Sequence, residues 1–170
     1  MPDKQAAGLL NTQINRELYS SYLYLSFSNF YIEKGLAGFG NWFHVQAQEE
    51  LDHALLLLRY LQNNEMPVRF SGVEPPPPQT HSLLEPFQAA LSHERFVTGS
   101  IHAVYEAAQQ DGDYRTMQFL DWFIKEQAEE ETSVSELLKK LELFGDDPRS
   151  LYLLDQELAG RVYAAPTLTL

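Results

Sequence analysis

Apolar residues recur every three or four positions through most of the chain, the spacing that places them on one face of an α-helix. The pattern predicts four long helices, from about Lys4 to Lys34, from about Ala37 to Asn63, from Ser82 to about Gln110 and from about Asp113 to Phe144. A short amphipathic fifth helix is expected to begin at the Asp147-Pro148 pair and to end at Gly160. No stretch has the alternating pattern of a β-strand, so the predicted fold class is all-α.

The predicted helix ends carry recognisable local signals. Gly35 is placed to end the first helix, because glycine readily takes the left-handed conformation that closes many helices. The fourth helix is expected to stop at Gly145. The third helix is predicted to begin at Ser82, because Ser82-Leu83-Leu84-Glu85 has the form of a capping box.

The connections between the helices predict their topology. The connections after the first and third helices are short, so each of these helices should run antiparallel to its successor. The connection after the second helix contains four successive prolines, Pro75 to Pro78, which exclude helix and favour an extended chain. About 17 residues at ~3 Å each span on the order of 45 Å, which matches the length of a helix of ~30 residues. The second and third helices can therefore run parallel, in a four-helix bundle with one long crossover.

A chain of 170 residues fits one domain. We expect residues 1–145 to form the bundle, and residues 146–170 to add the fifth helix and a C-terminal tail to the same domain. The fifth helix has an apolar stripe, Leu151, Leu154 and Leu158, that a bundle does not need for its own core. We expect this helix to project and to bury its stripe against symmetry mates. The alternative is that it folds back onto its own bundle.

Composition and charge exclude several functions. The chain has 24 acidic and 12 basic residues, a net charge of -12, which disfavours nucleic acid as a partner and favours cations. It has no cysteine, which excludes disulfides, thiolate catalysis and cysteine-based metal sites. No signal peptide and no apolar run long enough for a membrane span is visible, so we expect a cytoplasmic protein without a membrane partner.

Each of the four long helices has one glutamate near the middle of its inward stripe: Glu17, Glu50, Glu94 and Glu130. A buried carboxylate without a partner is so unfavourable that it takes up a proton instead. The stripes contain no lysine or arginine, so bound cations are the remaining compensation. Four carboxylates balance two divalent metal ions, and His53, on the same face as Glu50, adds a neutral nitrogen ligand. Oxygen and nitrogen donors suit iron, manganese or zinc.

Other polar residues near these glutamates allow two interpretations each. Gln127 lies on the inward face of the fourth helix, either as part of a metal site or as a core amide with its hydrogen bonds made. Tyr24, two helical turns after Glu17, is either a core aromatic or a redox-active residue. Glu49, Glu126 and Glu129 adjoin the inward residues and are candidates for a further metal site. The remaining histidines are expected at the surface or at helix caps: His44, His81, His93 and His102.

In these residues, in its proline-containing crossover and in its short last helix, the sequence resembles the non-haem ferritins of bacteria and archaea over essentially its whole length. The resemblance implies a first iron site at Glu17, Glu50 and His53, and a second at Glu50, Glu94 and Glu130, with Gln127 hydrogen-bonded close by. It implies a third, inner site at Glu49, Glu126, Glu129 and Glu130. It also matches Tyr24 and Trp122 to aromatic residues that can supply electrons in this family.

Two departures from related families are informative. Gln127-x-x-Glu130 stands where di-iron bundles often have a second Glu-x-x-His, which argues against a bacterioferritin. Asp52 stands where bacterioferritins place the methionine that binds haem, so we expect no haem.

The function that the resemblance implies is iron storage and detoxification. Fe(II) is expected to be oxidised to Fe(III) at a di-iron ferroxidase centre by O2 or H2O2, and the mineral kept inside a hollow homo-oligomeric shell of twenty-four subunits. One rival is a di-iron oxygenase acting on an organic substrate, for which bulky residues such as Tyr24 and Phe123 leave little room. The other is a structural bundle or metal buffer without turnover.

Overall fold

The computed structural model describes residues 5–78 and 81–170. Its helices are α1 (Gln5–Glu33), α2 (Ala37–Asn63), α3 (Glu85–Gln110), α4 (Tyr114–Phe144) and α5 (Pro148–Ala159). The predicted all-α class is confirmed, and the residues described include no β-strand. The predicted start of the first helix at Lys4 lies outside the described residues. None of the described helices is long and apolar enough to cross a membrane.

Most of the predicted helix ends are confirmed, but the capping box is wrong. Gly35 follows α1 with a left-handed φ of 78°, and Asp147 caps α5 by accepting a hydrogen bond from Ser150 N at 2.8 Å. The helix α3 begins at Glu85 instead of Ser82. The reason is that Ser82 Oγ accepts a hydrogen bond from Leu84 N at 3.2 Å, which closes a local turn before the helix starts.

Gly145 follows α4 as predicted. Its φ of -68° and ψ of -22° are right-handed, so, unlike Gly35, it ends its helix without a left-handed conformation. The backbone then turns directly into the cap of α5.

The bundle has the predicted topology. Ser28 Oγ donates to Gly40 O and Ser21 Oγ to Ala47 O, each at 2.7 Å, so α1 and α2 run antiparallel. The rings of Phe43 and Phe87 lie 4.8 Å apart, which brings the N-terminal parts of α2 and α3 to the same end of the bundle. These two helices therefore run parallel.

The long crossover runs alongside α1. Asn11 Nδ2 donates to Pro67 O at 2.9 Å, and Asn15 Nδ2 donates to Gly72 O at 2.8 Å. The crossover is not helical, so its carbonyl groups have no hydrogen bonds within a helix. Side-chain amides of α1 supply donors to two of them instead. The two hydrogen bonds fix the extended chain to the outside of the bundle.

The core of the described residues has two large apolar clusters with a polar layer between them, and a small third cluster of alanines at one end. One large cluster is rich in aromatic rings, including Phe27, Tyr31 and Phe87. The other large cluster is mainly aliphatic and includes Leu57 and Ile101. The layer between them contains the glutamates, which are held in place by well-packed side chains on either side.

The fifth helix folds back onto its own bundle, so the prediction that it projects toward symmetry mates is wrong. Leu154 and Leu158 are each only 5% exposed and pack with Phe39 of α2. Asp155 Oδ1 accepts a hydrogen bond from Phe39 N at 3.0 Å. The physical reason is that the first turn of α2 offers both an apolar surface and unpaired N–H groups, and α5 satisfies both.

The C-terminal tail, residues 161–170, continues from α5 and returns along α2. Tyr163 OH donates a hydrogen bond to Asp52. Trp122 Nε1 donates to Thr167 Oγ1 at 3.0 Å, and Leu168 packs against the aliphatic cluster. No pattern in the sequence predicts this course, because the tail has neither helical periodicity nor strand alternation.

Candidate metal centre

One glutamate from each of the four long helices meets the others in the middle of the bundle. Glu17, Glu50, Glu94 and Glu130 are all buried. Donor atoms of Glu17, Glu50 and His53 lie within 4.8 Å of one another, and so do those of Glu50, Glu94 and Glu130. Glu50 belongs to both groups. We call these five residues the central cluster.

In the described part of the chain, the carboxylates of the central cluster have no ion-pair partner that would stabilise their charged form. Burial raises the pKa of Glu17 from 4.5 to about 7. Burial also raises the pKa of Glu50, Glu94 and Glu130, and for Glu50 and Glu130 the neighbouring carboxylates raise it further. Among the described residues, no lysine or arginine forms an ion pair with these four glutamates. Divalent cations would supply the missing positive charge.

Several buried atoms of the cluster lack a hydrogen-bond partner. They are both carboxylate oxygens of Glu50, Glu17 Oε2 and His53 Nδ1, which lies 3.4 Å from Glu50 Oε2. Each such buried group typically costs ~1–3 kcal/mol. Burial lowers the pKa of His53 to about 4, so its imidazole is neutral at neutral pH and keeps a lone pair for a metal. These oxygen and nitrogen donors fit a pair of iron, manganese or zinc ions.

Glu94 is oriented by two hydrogen-bond donors. Gln127 Nε2 donates to Glu94 Oε2 at 3.1 Å, and Tyr24 OH donates to Glu94 Oε1. Burial and the nearby carboxylates raise the pKa of Tyr24, so its phenol stays protonated and remains a donor. The contacts of Gln127 match the second of its two interpretations, a core amide with its hydrogen bonds made. This amide lies directly beside the central cluster.

Two residues that the sequence analysis missed orient other glutamates. Gln13 Nε2 donates to Glu17 Oε1 at 2.7 Å, and Gln46 Nε2 donates to Glu130 Oε2. Each glutamine precedes an inward glutamate by four positions, Gln13 before Glu17 and Gln46 before Glu50. A spacing of four positions puts each glutamine on the same helix face as the glutamate that follows it. This spacing is the feature of the sequence from which the two glutamines could have been predicted to point inward.

The outer cluster, Glu49, Glu126 and Glu129, is only partly assembled. Glu126 Oε1 lies 3.9 Å from His53 Nε2, and these two residues form a third group with Glu130 whose donor atoms lie within 4.8 Å of one another. Glu49 is instead paired with Arg161 at 2.6 Å. Glu129 is exposed. The outer cluster lines a cavity of about 480 Å³ together with His53, Trp122, Lys125 and tail residues 164–167.

The aromatic and histidine residues near the cluster have distinct places. The Trp122 ring lies 5.6 Å from the His53 ring. His93, predicted at the surface or a cap, is instead half-buried, with Nε2 2.7 Å from Ser20 Oγ and its ring beside Tyr24. The expectation fails there because His93 fills a gap between α1 and α3. The other three histidines, His44, His81 and His102, are exposed.

Metal binding to the central cluster should release protons. A group with a raised folded-state pKa holds its proton until the metal replaces it, so Glu17, with a pKa of about 7, loses a proton on binding near pH 6. Calorimetric titration with Zn²⁺ in two buffers of different ionisation enthalpy should give a net release of about one proton or more near pH 6. The release should be smaller near pH 8. Binding without proton release near pH 6 would contradict the assignment.

The same shift predicts how the stability of the metal-free protein depends on pH. Folded Glu17 binds its proton more tightly than unfolded Glu17, so the folded state loses stability as pH rises from about 4.5 to about 7. Saturating Zn²⁺ should reduce this loss, because the metal stabilises the ionised carboxylate. Thermal unfolding at several pH values, with and without Zn²⁺, measures both slopes.

A carboxylate and histidine cluster inside a four-helix bundle with one long crossover is the arrangement of the ferritin-like di-metal proteins. Residues 7–144 match the family model described as the Ferritin-like domain. The chain belongs to the ferritin family, which confirms the resemblance seen in the sequence.

Individual relatives cover nearly the whole chain. The bacterial non-haem ferritin of Campylobacter jejuni is 39% identical over 156 residues, 92% of this chain and 93% of its own. That of Staphylococcus aureus is 34% identical over 163 residues, 96% of this chain and 98% of its own. An open-pore ferritin of the archaeon Archaeoglobus fulgidus superimposes with a TM-score of 0.92 at 41% identity, over 95% of this chain and 100% of its own.

Proposed function

We propose that this protein oxidises ferrous iron at the central cluster, with O2 or H2O2 as the oxidant, and stores the ferric product as mineral. Iron storage follows from its membership of the ferritin family. The observation that supports the oxidation step is the placement of Glu50. Its two carboxylate oxygens have no hydrogen-bond partner, and it belongs to both groups of donor atoms. A carboxylate so placed can bridge two iron ions, each of which gives one electron to the oxidant.

The residues divide into ligands and orienting groups. One iron is held by Glu17, Glu50 and His53, and the other by Glu50, Glu94 and Glu130. Gln127 and Tyr24 orient Glu94 through the hydrogen bonds described above. The location of Tyr24 against a ligand also suits it to pass an electron to the centre, and so does the location of Trp122 beside His53.

The packing beside Glu50 supports iron itself as the substrate. Tyr24, Leu57 and Phe123 are at most 1% exposed and fill the bundle next to the cluster. A di-iron oxygenase needs room there for an organic molecule. A metal buffer without turnover would not need hydrogen-bond donors that orient its ligands. Because such a buffer could have the same ligands, a measurement of oxidation activity must distinguish it from the proposed enzyme.

We also propose that the chain, one domain over residues 1–170, forms a homo-oligomeric hollow shell of twenty-four subunits. Contiguous parts of the chain, at the end of α4 and on the outer face of α5, expose the large apolar residues Leu143, Phe144, Tyr152 and Leu153 by 48–76%. Apolar surface of this kind supports subunit contacts. The open-pore and engineered closed forms of the Archaeoglobus fulgidus ferritin fit a hollow assembly.

Adding Fe(II) to the metal-free protein under air tests the proposal. We expect rapid O2 uptake, formation of ferric absorbance at a ratio of two Fe(II) per centre, and mineral retained in particles of constant size. Light scattering gives the particle size before and after loading. Iron binding without O2 uptake would indicate a buffer, and a stable monomer at micromolar concentration would exclude the shell.

The outer cluster is expected to tune turnover instead of enabling it. Glu129 is exposed and contributes no donor atom to the groups around Glu50. Glu129→Ala should therefore leave the first oxidation of two Fe(II) within about twofold of the wild-type rate, and slow later turnovers. Stopped-flow absorbance over successive additions of Fe(II) measures both. Loss of the first event would show that Glu129 belongs to the centre itself.

A further inference from the structure

Arg161, the first residue of the C-terminal tail, is held against Glu49 of the outer cluster and against two other residues of α2. Its Nη2 donates to Glu49 Oε2 at 2.6 Å, and its Nη1 donates to Gln46 Oε1 at 2.9 Å and to Trp42 O at 3.2 Å. The guanidinium carbon lies 4.6 Å from the centre of the Trp42 ring. The side chains of Arg161 and Glu49 are only 24% and 21% exposed. A planar guanidinium that donates three hydrogen bonds and stacks on an aromatic ring is a built contact, not a loose surface pair.

These contacts connect the tail to the central cluster. Gln46 accepts a hydrogen bond from Arg161 through Oε1 and donates one to Glu130 through Nε2. Because a guanidinium is only a donor, it fixes the amide of Gln46 with its NH2 group toward Glu130. Arg161 therefore acts on the central cluster through Gln46, and on the outer cluster directly through Glu49.

The rest of the tail encloses the cavity that the outer cluster lines. Residues 164–167 line this cavity together with Glu126 and Glu129. Tyr163 bonds to Asp52, and Thr167 accepts a hydrogen bond from Trp122. Glu49 lines this cavity while its Oε2 is bonded to Arg161, so a cation in the cavity must compete with the guanidinium for this carboxylate.

We propose that Arg161 is a positioning residue that acts as an internal cation for Glu49, so that a metal ion gains both oxygens of Glu49 only by displacing the guanidinium from Oε2. This inference rests on the proposed function, because it concerns how the outer cluster handles iron. The positive charge keeps metal affinity at the outer cluster below that of the central cluster. Iron is then held there briefly, which suits a site that passes the product on.

Zn²⁺ titration of the full-length metal-free protein tests this without any redox step. The binding phase of the outer cluster is defined as the phase that Glu126→Gln removes. In Arg161→Ala this phase should tighten by roughly twofold to fivefold, the scale of a partly exposed ion pair. The phases of the central cluster should change less than the outer phase, because Arg161 reaches the central cluster only through Gln46.

Lys140→Ala is the matched control. It removes an ion pair of the same 2.6 Å length, Lys140 to Glu157, between α4 and α5, and it changes the net charge equally. It should leave the outer phase unchanged. In a Glu49→Gln background, Arg161→Ala should have no further effect, because the competition that it relieves is already absent. Arg161→Lys keeps the charge and the stem, so it provides a folded variant, with a smaller tightening, if the alanine variant does not fold.

An outer phase that is unchanged or weaker in the folded Arg161 variants would overturn the proposal, and so would equal tightening in Lys140→Ala. An outer phase absent from the wild type supports it if Arg161→Ala reveals the phase, and overturns it otherwise. Absence of the two tight central phases in the wild type would instead contradict the proposed function. The two failures are therefore distinguishable.

Discussion

Replacing Glu50 by alanine should abolish rapid oxidation of Fe(II) while the protein still folds. Glu50 is the one residue whose donor atoms belong to both groups of the central cluster, so its loss removes a ligand from each iron. We expect the initial rate to fall by about 100-fold or more, since even the partners of metal ligands are commonly worth 10-fold to 100-fold. Stopped-flow absorbance after mixing with two Fe(II) per subunit measures this rate.

The same variant should not be less stable than the metal-free wild type. Both carboxylate oxygens of Glu50 are buried without a hydrogen-bond partner, and neighbouring carboxylates raise its pKa, so the side chain opposes folding. Glu136→Ala, at an exposed position of α4, is the matched control and should keep the wild-type oxidation rate. A Glu50→Ala protein that oxidises iron at the wild-type rate would refute the bridging role.

Replacing Gly38 by alanine should detach α5 from the bundle. A Cβ atom at this position would lie 1.7 Å from the backbone oxygen of Asp155 and 2.6 Å from its carbonyl carbon. Backbone cannot yield as a flexible side chain does, so α5 must move away from α2. The shift would break the hydrogen bond from Phe39 N to Asp155 and expose the buried faces of Leu154 and Leu158. We expect a loss of about 3 kcal/mol, as for overpacking of a tight contact.

Gly99→Ala is the matched control, because Gly99 also lies in a helix but has no atom within 4 Å of the added Cβ. It should stabilise the protein by about 0.5–1 kcal/mol through its higher helix propensity. Thermal and denaturant unfolding of the metal-free proteins compares the two. If both variants shift stability in the same direction, α5 does not dock on α2 in solution.

The helical bundle and its ring of glutamates follow from the sequence alone. Periodicity determines which face of a long helix is apolar, and a glutamate in that face has only the interior to point into. Because each long helix has one such residue near its middle, the pattern predicts that Glu17, Glu50, Glu94 and Glu130 meet. The proline-rich crossover adds the topology, since its extended length matches the length of a helix.

Only the tertiary structure decided where the C-terminal part of the chain packs. The apolar stripe of α5 is compatible with a symmetry mate or with the same bundle, and the choice depends on Gly38 and Phe39, more than 100 positions earlier in the chain. The Arg161–Glu49 pair joins residues 112 positions apart. Local patterns encode which face of a helix is apolar, because neighbours three and four residues apart share that face. They do not encode which distant surface this face meets, because that depends on how the whole chain packs.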